Sequence, residues 1–211
     1  MHPVRAALLV IAASAALTGC KFVETAELQA KAAQASAATP QNADDWEARV
    51  VPHFQSSAVP VATLRSALAD KGLDGAGAQY GHREGGEGTP FTYVANVSGK
   101  IVDANTQSRA ATASVDTDGD GTADVTLQLG PVIRGTAIRD ALPFISFTDY
   151  ENQIEFARLA KAFNADAYEK VLEAIPREDL VGKTVTALGA VTVRKADETF
   201  LVTPVSVDLA P

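Results

Sequence analysis

Residues Arg109 to Leu129, RAATASVDTDGDGTADVTLQL, place an acidic loop with two glycines between two alternating segments. Apolar and polar residues alternate from Ala111 to Val115, and the alternation resumes from Val125 to Leu129. A period of two is typical of β-strands with one buried face. Two such strands joined by an Asp- and Gly-rich tip form a β-hairpin. The sequence therefore predicts a hairpin next to which the other strands are arranged.

The loop between these strands carries carboxylates at the spacing of a calcium-binding loop. Asp116, Asp118 and Asp120 lie at alternate positions, and Gly121 and Asp124 occupy the sixth and ninth positions counted from Asp116. The same offsets occur in the first nine positions of an EF-hand loop, whose ligands are oxygen atoms. The pattern therefore indicates a site for a hard cation such as calcium.

The end of the loop departs from an EF-hand. The twelfth position is Leu127 rather than a bidentate glutamate, and strand-like alternation occupies the place of the exiting helix. We therefore expect a looser, weak calcium site that stabilises the hairpin rather than performing chemistry. Its predicted ligands are the side chains of Asp116, Asp118, Asp120 and Asp124 and the backbone carbonyl of Thr122. The alternative is a solvated Asp-Gly turn, which hairpins also favour.

The N-terminal segment has the organisation of a bacterial lipoprotein signal peptide. Residues 1–19 contain one charged side chain, Arg5, then an apolar run from Ala6 to Leu17 and small residues before Cys20. The run is too short for a permanent transmembrane helix. We expect Cys20, the only cysteine, to carry lipid and to anchor the mature protein on the periplasmic side of the cell envelope. An ordinary buried cysteine is the alternative, and Lys21 does not discriminate between the inner and outer membranes.

The charge balance argues against nucleic acid as a partner. The chain has 18 basic and 26 acidic residues, and loss of the signal segment removes only Arg5, which changes the net charge from −8 to −9. Binding of a polyanion needs a stripe of Lys and Arg to displace counterions, and the sequence contains no such stripe. The mature length suits one domain of ordinary size with a tether, or two small domains.

Composition divides the mature chain into three predicted segments. Residues 20–41 are rich in Ala, Gln, Ser and Thr and form a flexible tether behind the lipidated cysteine. Residues 42–89 form a helical segment and a glycine-rich loop. Residues 90–211 form the main β domain, because strand signals recur there at regular intervals.

Two short helices are predicted in the helical segment. Asn42 caps the first helix, and Pro52 interrupts it. The second helix runs from Pro60 to Leu68 and ends at Gly72, before the glycine-rich loop. His82 lies in this loop with no partner at a recognisable spacing, so it is a weak candidate for a ligand or an acid–base group.

Five strands are predicted in the β domain. They are Phe91–Val102 with a bulge at Gly99, Arg109–Val115, Val125–Leu129, Lys183–Val193 and Phe200–Leu209 with an edge or bulge at Pro204. A helix opened by a capping box at Thr148–Glu151 and another capped by Asn164 separate the third and fourth strands. The order β-β-β-α-β-β predicts a mainly β, α+β domain built as an OB-fold-like five-stranded barrel. An open α+β sheet is the alternative.

The segment after the hairpin carries a family resemblance. Leu129 to Phe147, LGPVIRGTAIRDALPFISF, is followed by Asp149 and by ENQI at Glu151–Ile154. Together with the Asp116–Asp124 loop and the lipid-type cysteine, this segment is similar to a bacterial family of predicted periplasmic lipoproteins of unknown function. The resemblance implies a genomic context beside sugar ABC transporters, because members of that family are often encoded there. It implies no catalytic residues, because the family has no established activity.

The same segment contains the candidate ligand or partner site. It combines charged and amide side chains with Phe144, Phe147 and Tyr150, which are residue types that build sugar or carboxylate pockets. The candidate residues are Arg134, Arg139, Asp140, Asp149, Asn152 and Gln153. The alternative is a structural network, in which Arg139 and Asp140 pair and Asp149 serves the helix start.

We therefore expect a lipid-anchored, non-catalytic accessory or binding lipoprotein. It would bind a small polar solute or a protein partner, such as an envelope protein or a component of a sugar ABC importer. A purely structural, calcium-stabilised envelope lipoprotein is the first alternative. A hydrolase acting on glycans is the second, because two acidic side chains distant in sequence can converge in a cleft. The sequence contains no nucleophile elbow, zinc-type cluster or phosphate-binding loop.

Overall fold

The computed structural model describes residues 45–210, so Cys20, the tether and Asn42 lie outside the described residues. The strands within this range are β1 (Val59–Pro60), β2 (Gly81–His82), β3 (Phe91–Asn105), β4 (Ala110–Asp116), β5 (Val125–Pro131), β6 (Thr184–Val193) and β7 (Phe200–Ala210). The α-helices are α1 (Val51–Ser57), α2 (Val61–Tyr80), α3 (Ala137–Asp140) and α4 (Gln153–Ala167). Helical turns of other types occupy Trp46–Val50 and Tyr168–Leu172, both π, and Phe147–Asp149, which is 3-10.

The five long strands close into a barrel. Their order is β3-β4-β5-β7-β6, and β6 pairs again with β3, from Phe91 opposite Val193 to Lys100 opposite Thr184. Strands β5 and β7 are parallel, and the other neighbouring pairs are antiparallel. This order, with helices inserted between β5 and β6, confirms the predicted OB-like barrel. The pairing of β3 with β6 excludes the open sheet.

The strands that contact the helices are buried on both faces. Their buried residues therefore belong to two apolar clusters, one inside the barrel and one outside it. Val97, Leu127 and Val191 point into the barrel and belong to the first cluster. The second cluster lies outside the barrel, where outward residues of β3, β6 and β7 pack against helical residues. Its largest members include Trp46, Phe54, Ile138, Leu142 and Phe163, together with Val94, Ala190 and Val205 of the strands. The helices therefore cover one side of the barrel and hold α3 against it.

The N-terminal helices differ from the prediction at two residues. Pro52 does not end a helix, because the π turn Trp46–Val50 continues directly into α1, in whose first turn Pro52 lies. The second helix does not end at Gly72 as predicted, because Gly72, with a φ of 68°, only kinks the chain and a further helical stretch follows it to Tyr80. The predicted glycine-rich loop is therefore shorter and begins after β2.

The helices between β5 and β6 also begin at other residues than predicted. The capping box belongs to Ser146 and Asp149 at the 3-10 turn, and the α4 cap is Asn152, whose Oδ1 accepts from Ile154 N at 2.9 Å and Glu155 N at 3.1 Å. Asn164 caps no helix, since α4 continues past it. Its amide donates instead to the carbonyl of Gly135 at 3.0 Å.

Of the two predicted strand irregularities, the one at Gly99 is wrong and the one at Pro204 is confirmed. Strand β3 runs without interruption through Gly99, and its register against β4 shifts at Val102 instead. The predicted irregularity at Pro204 is confirmed, because Leu188 pairs with Ser206 while Gly189 pairs with Pro204. The extra residue in β7 places the proline where the ladder does not need its N–H.

Candidate functional site

A cavity of about 330 Å³ lies on the helix-covered side of the barrel. Its floor consists of outward-facing polar residues from four strands: Thr92 of β3, Gln128 of β5, Thr192 of β6 and Thr203 of β7. One wall is formed by Thr136 and α3, and the rim includes residues that follow β2 and β6. The lining side chains are thus held mainly by regular elements, which favours a preformed site.

The floor is a hydrogen-bonded layer. The hydroxyl groups of Thr92 and Thr192 lie 2.9 Å apart, so one of them donates to the other. The Gln128 amide donates to Thr203 Oγ1 at 2.8 Å and to the Arg134 carbonyl at 3.0 Å, and its Oε1 accepts from Arg134 N at 2.8 Å. Gln128 is only 4% exposed, so this pairing satisfies a buried amide and fixes the backbone of Arg134 at the rim.

The wall contains a tightly held ion pair. Arg139 donates through Nε and Nη2 to Asp140 Oδ1, at 2.8 and 2.6 Å, and through Nη1 to the Phe156 carbonyl at 2.9 Å. Its guanidinium lies 3.7 Å from the centroid of the Phe156 ring. Thr136 Oγ1 donates to the other oxygen of Asp140 at 2.5 Å. The pair therefore forms a rigid surface with most of its hydrogen-bonding capacity used.

Two further arginines, Arg134 and Arg194, line the cavity. Within residues 45–210, the guanidinium groups of Arg134 and Arg194 make no hydrogen bond or ion pair, and both residues are exposed. Glu84 is more restrained, because its Oε1 accepts from Ser146 Oγ at 3.0 Å and Phe147 N at 2.9 Å. The rim is therefore richer in available donors than in acceptors.

His82 also lines the cavity. Its Nδ1 lies 2.9 Å from the Asp140 carbonyl, which can only accept, so Nδ1 carries a proton and Nε2 is an acceptor in the neutral ring. His82 was a weak candidate from the sequence alone because its contact partner, Asp140, lies 58 residues away. Strand β2 and the barrel bring the two residues together.

The structure brings together three of the six candidate ligand residues. Arg134, Arg139 and Asp140 line the cavity, whereas Asp149, Asn152 and Gln153 do not. Asp149 closes the 3-10 turn, close to its role in the structural alternative. Asn152 caps α4, and Gln153 is the exposed first residue of that helix. Sequence reasoning missed the floor residues Thr92, Gln128, Thr192 and Thr203. Their only signal is a polar residue at an outward position of a mostly apolar strand.

The acidic hairpin tip forms a second, separate group of polar residues. Asp116 Oδ1 accepts from the N–H groups of Asp118 at 3.2 Å and Gly119 at 2.7 Å, and its Oδ2 accepts from Gly121 N at 2.8 Å. The N–H groups of Gly119 and Gly121 lower the pKa of the Asp116 carboxyl, because they stabilise its charged form. The tip is therefore organised around an ionised Asp116.

Three of the predicted metal ligands converge at the tip. Asp116, Asp118 and Asp120 each offer a carboxylate oxygen, and these oxygens lie within 4.8 Å of one another, so the triad could bind a metal ion. Asp124, the fourth predicted carboxylate ligand, is not part of this triad. Its Oδ2 accepts hydrogen bonds from Thr117 N at 2.8 Å and Thr117 Oγ1 at 2.7 Å. The Thr122 carbonyl as a ligand stays a prediction.

Comparison with protein families decides the class of protein. Residues 10–208 match the model of the family described as predicted periplasmic lipoprotein (DUF2291). The chain belongs to this family. As a predicted periplasmic lipoprotein it is anchored to a membrane through lipid, and the expected attachment residue, Cys20, lies outside the described residues. In residues 45–210, no helix combines the length and the apolar character that a bilayer span requires.

A solved structure supports the fold of this lipoprotein. The chain is similar to an OB-fold protein from Thermotoga maritima with a TM-score of 0.61 and 18% sequence identity, over 79% of this chain and 94% of that one. At this identity the likeness shows the fold alone. A comparison with curated proteins gave no match.

Proposed function

We propose that this lipoprotein is a membrane-anchored, non-catalytic binding module that holds a small polar solute in the cavity beside α3. The observation that carries the proposal is the polar floor contributed by four different strands and enclosed by α3. The volume of about 330 Å³ is near the lower end of the usual range for ligand sites, which suits a small solute. A cavity built on a barrel and a packed helix loses little conformational entropy on binding.

The arrangement favours binding over catalysis. Glu84 and Asp140 both line the cavity, as a glycan hydrolase would require of two carboxylates. However, the oxygens of Asp140 accept from Thr136 and Arg139, which leaves this carboxylate no freedom to protonate a leaving group. A hydrolase remains the second candidate function, and Glu84→Gln and Asp140→Asn would abolish its turnover.

The membrane location and the genomic context of the family support a proposal about the partner. A lipid-anchored module with a solute cavity fits an accessory to a membrane importer, and the family resemblance implies sugar ABC transporters as neighbours. We propose that the module delivers solute to such an importer or contacts its periplasmic component. Co-purification of the full chain with the importer after crosslinking in the envelope would support this assignment.

We further propose that calcium binds the triad Asp116, Asp118 and Asp120 and stabilises the hairpin tip. The hydrogen bonds that hold Asp116 in place support this proposal, because a fixed first ligand reduces the cost of ordering the others. If the cavity binds no solute, a structural, calcium-stabilised envelope lipoprotein is the function that remains.

A substitution at the cavity mouth tests solute binding. Leu201 lines the cavity and is 44% exposed, while Val132 is 43% exposed and does not line it. Leu201→Trp should fill part of the cavity, and Val132→Trp is the matched control for an added surface indole. The full chain in detergent micelles would be screened by thermal shift against neutral sugars, polyols, amino acids, carboxylates and sugar phosphates.

We expect a solute that stabilises the parent and Val132→Trp but not Leu201→Trp, and that NMR recovers unchanged after long incubation. A solute that stabilises all three proteins equally would show binding outside the cavity and contradict the proposal. A solute converted to product would instead favour the hydrolase.

A further inference from the structure

We infer that the solute bound in this cavity is an anion, and that its carboxylate or phosphate group contacts the guanidinium groups of Arg134 and Arg194. The inference rests on the proposed function, because it assigns the class of solute to the same cavity. It starts from the charged side chains that line the cavity and from which of them are already paired.

Five charged side chains line the cavity: Glu84, Arg134, Arg139, Asp140 and Arg194. Arg139 and Asp140 neutralise each other through bonds of 2.6 and 2.8 Å. Of the remaining three, Glu84 uses one oxygen to accept hydrogen bonds from the Ser146 hydroxyl and the Phe147 N–H. Both arginines are unpaired within the part of the chain that the structure describes. The available charge is therefore positive, in a chain whose net charge is −8.

The backbone on which each arginine sits is fixed. Arg134 exchanges two hydrogen bonds with the Gln128 amide through its N–H and carbonyl groups, which leaves its side chain free. Arg194 donates its N–H to Glu198 Oε1 at 2.7 Å, at the start of the loop between β6 and β7. Two long cationic side chains thus extend from anchored positions on the same cavity. Guanidinium groups bind carboxylates and phosphates through paired, charge-assisted hydrogen bonds.

The rest of the cavity suits a solute that also carries hydroxyl groups. The Thr203 hydroxyl accepts from Gln128 and can still donate, and the second oxygen of Glu84 has no partner among the described residues. The Nε2 atom of His82 is a further acceptor when the ring is neutral. A solute that places an acidic group at the rim and hydroxyl groups toward the floor would be a hydroxy acid, a sugar acid or a sugar phosphate.

The overall negative charge does not oppose this inference. Charges separated by more than about 8 Å are largely screened at physiological ionic strength, so distant acidic residues contribute little at the cavity, where Arg134 and Arg194 outnumber Glu84. The negative charge of the rest of the chain slows the approach of an anion without removing its close contacts. Affinity should consequently fall as salt is raised.

Calorimetry on the full chain in detergent micelles tests the class of solute. The probes form two matched sets: glycerol, glycerate and glycerol 3-phosphate, and glucose, glucuronate and glucose 6-phosphate. We expect the anionic members of at least one set to bind at least about 10-fold more tightly than the neutral member, as charge-assisted hydrogen bonds predict. The member that binds best distinguishes a carboxylate from a phosphate.

Three variants locate the anionic group. Arg134→Gln and Arg194→Gln should each weaken the best anion by about 10-fold or more, since each removes a charged donor. Arg158→Gln removes an exposed arginine on α4 that does not line the cavity, and it should leave the affinity unchanged. Thermal unfolding of each variant would confirm that the fold is retained.

Two results would overturn the inference. Equal affinity for the neutral and anionic probes, lost in Leu201→Trp but not in the arginine variants, would retain the binding module and reject the anion. Absence of binding by all six probes would reject the anion as well, and the wider screen with Leu201→Trp and Val132→Trp would then decide separately whether the cavity binds any solute.

Discussion

At the scale of single residues, Gly99 shows how closely two barrel strands approach. A Cβ atom at this position would lie 2.1 Å from the carbonyl oxygen of Asp116, which is backbone and cannot move aside without disturbing β4. We expect Gly99→Ala to lower the free energy of unfolding by about 1–3 kcal/mol, the usual cost of overpacking. Urea denaturation would measure the change. Gly86→Ala is the control, because nothing lies within 4 Å of its Cβ position, and equal stability of the two variants would contradict the explanation.

Asp166 is a residue whose ionisation opposes folding. Its Oδ2 is buried without a hydrogen-bond partner in the described part of the chain, and burial raises the pKa of its carboxyl although Lys170 acts in the opposite direction. A raised pKa in the folded state means that the charged form is disfavoured there, so stability is lost as the pH rises through the folded pKa. Asp166→Asn removes this charge.

We therefore expect Asp166→Asn to melt at a higher temperature than the parent at pH 7. The difference should shrink as the pH falls toward and below the ordinary pKa of an aspartate, about 4, because the carboxyl then becomes protonated in both the folded and the unfolded parent. Thermal unfolding followed by circular dichroism from pH 3 to 7 would measure it. A variant that is less stable at pH 7 would mean that the contact of Asp166 with Lys170, at 4.0 Å, outweighs the burial of the charge.

At the scale of elements, the hairpin of β4 and β5 joins the acidic tip to the rest of the barrel. The Asp124 carbonyl accepts from Phe200 N at 3.0 Å and from Arg65 Nη2 at 2.8 Å, which connects the tip to β7 and α2. Ordering of the tip by a cation should accordingly raise the stability of the whole domain. Carboxylate sites that lack one strong ligand bind calcium weakly, on the order of 0.1–1 mM.

We expect calcium at several millimolar to raise the melting temperature of the full chain and to have no such effect after Asp118→Ala with Asp120→Ala. Removal of calcium with a chelator should reverse the stabilisation. Glu87→Ala with Asp197→Ala is the charge-matched control, because both residues are exposed and distant in sequence from the tip. Equal stabilisation of the two double variants would show that calcium acts nonspecifically and that the tip is a solvated turn.

The elements also show what the sequence can and cannot predict. The barrel strands were predictable because apolar alternation marks a buried interior face, as in β4 and β5. Helix boundaries were less predictable, because Gly72 breaks α2 locally while packing of Leu73 and Ala76 on the barrel keeps the next turns helical. Tertiary packing decided this case against the local signal.

At the scale of the whole molecule, only part of the cavity could be predicted from local sequence signals. Arg134, Arg139 and Asp140 could be selected because they lie close together in the sequence beside aromatic residues. The floor residues could not be selected from the sequence, because Thr92 and Thr192 are 100 residues apart and only the pairing of β3 with β6 places them in contact. The barrel topology therefore had to be known before the site could be recognised.

The central claim is that the barrel and α3 together form a solute-binding cavity, and hydrogen exchange measures this most directly. The full chain would be compared by mass spectrometry with and without the solute that gives the largest thermal shift. We predict slower exchange in peptides covering residues 134–140 and 192–203, which include cavity-lining residues, and unchanged exchange at residues 116–124. Slower exchange confined to the hairpin tip, or equal protection in Leu201→Trp, would contradict the account.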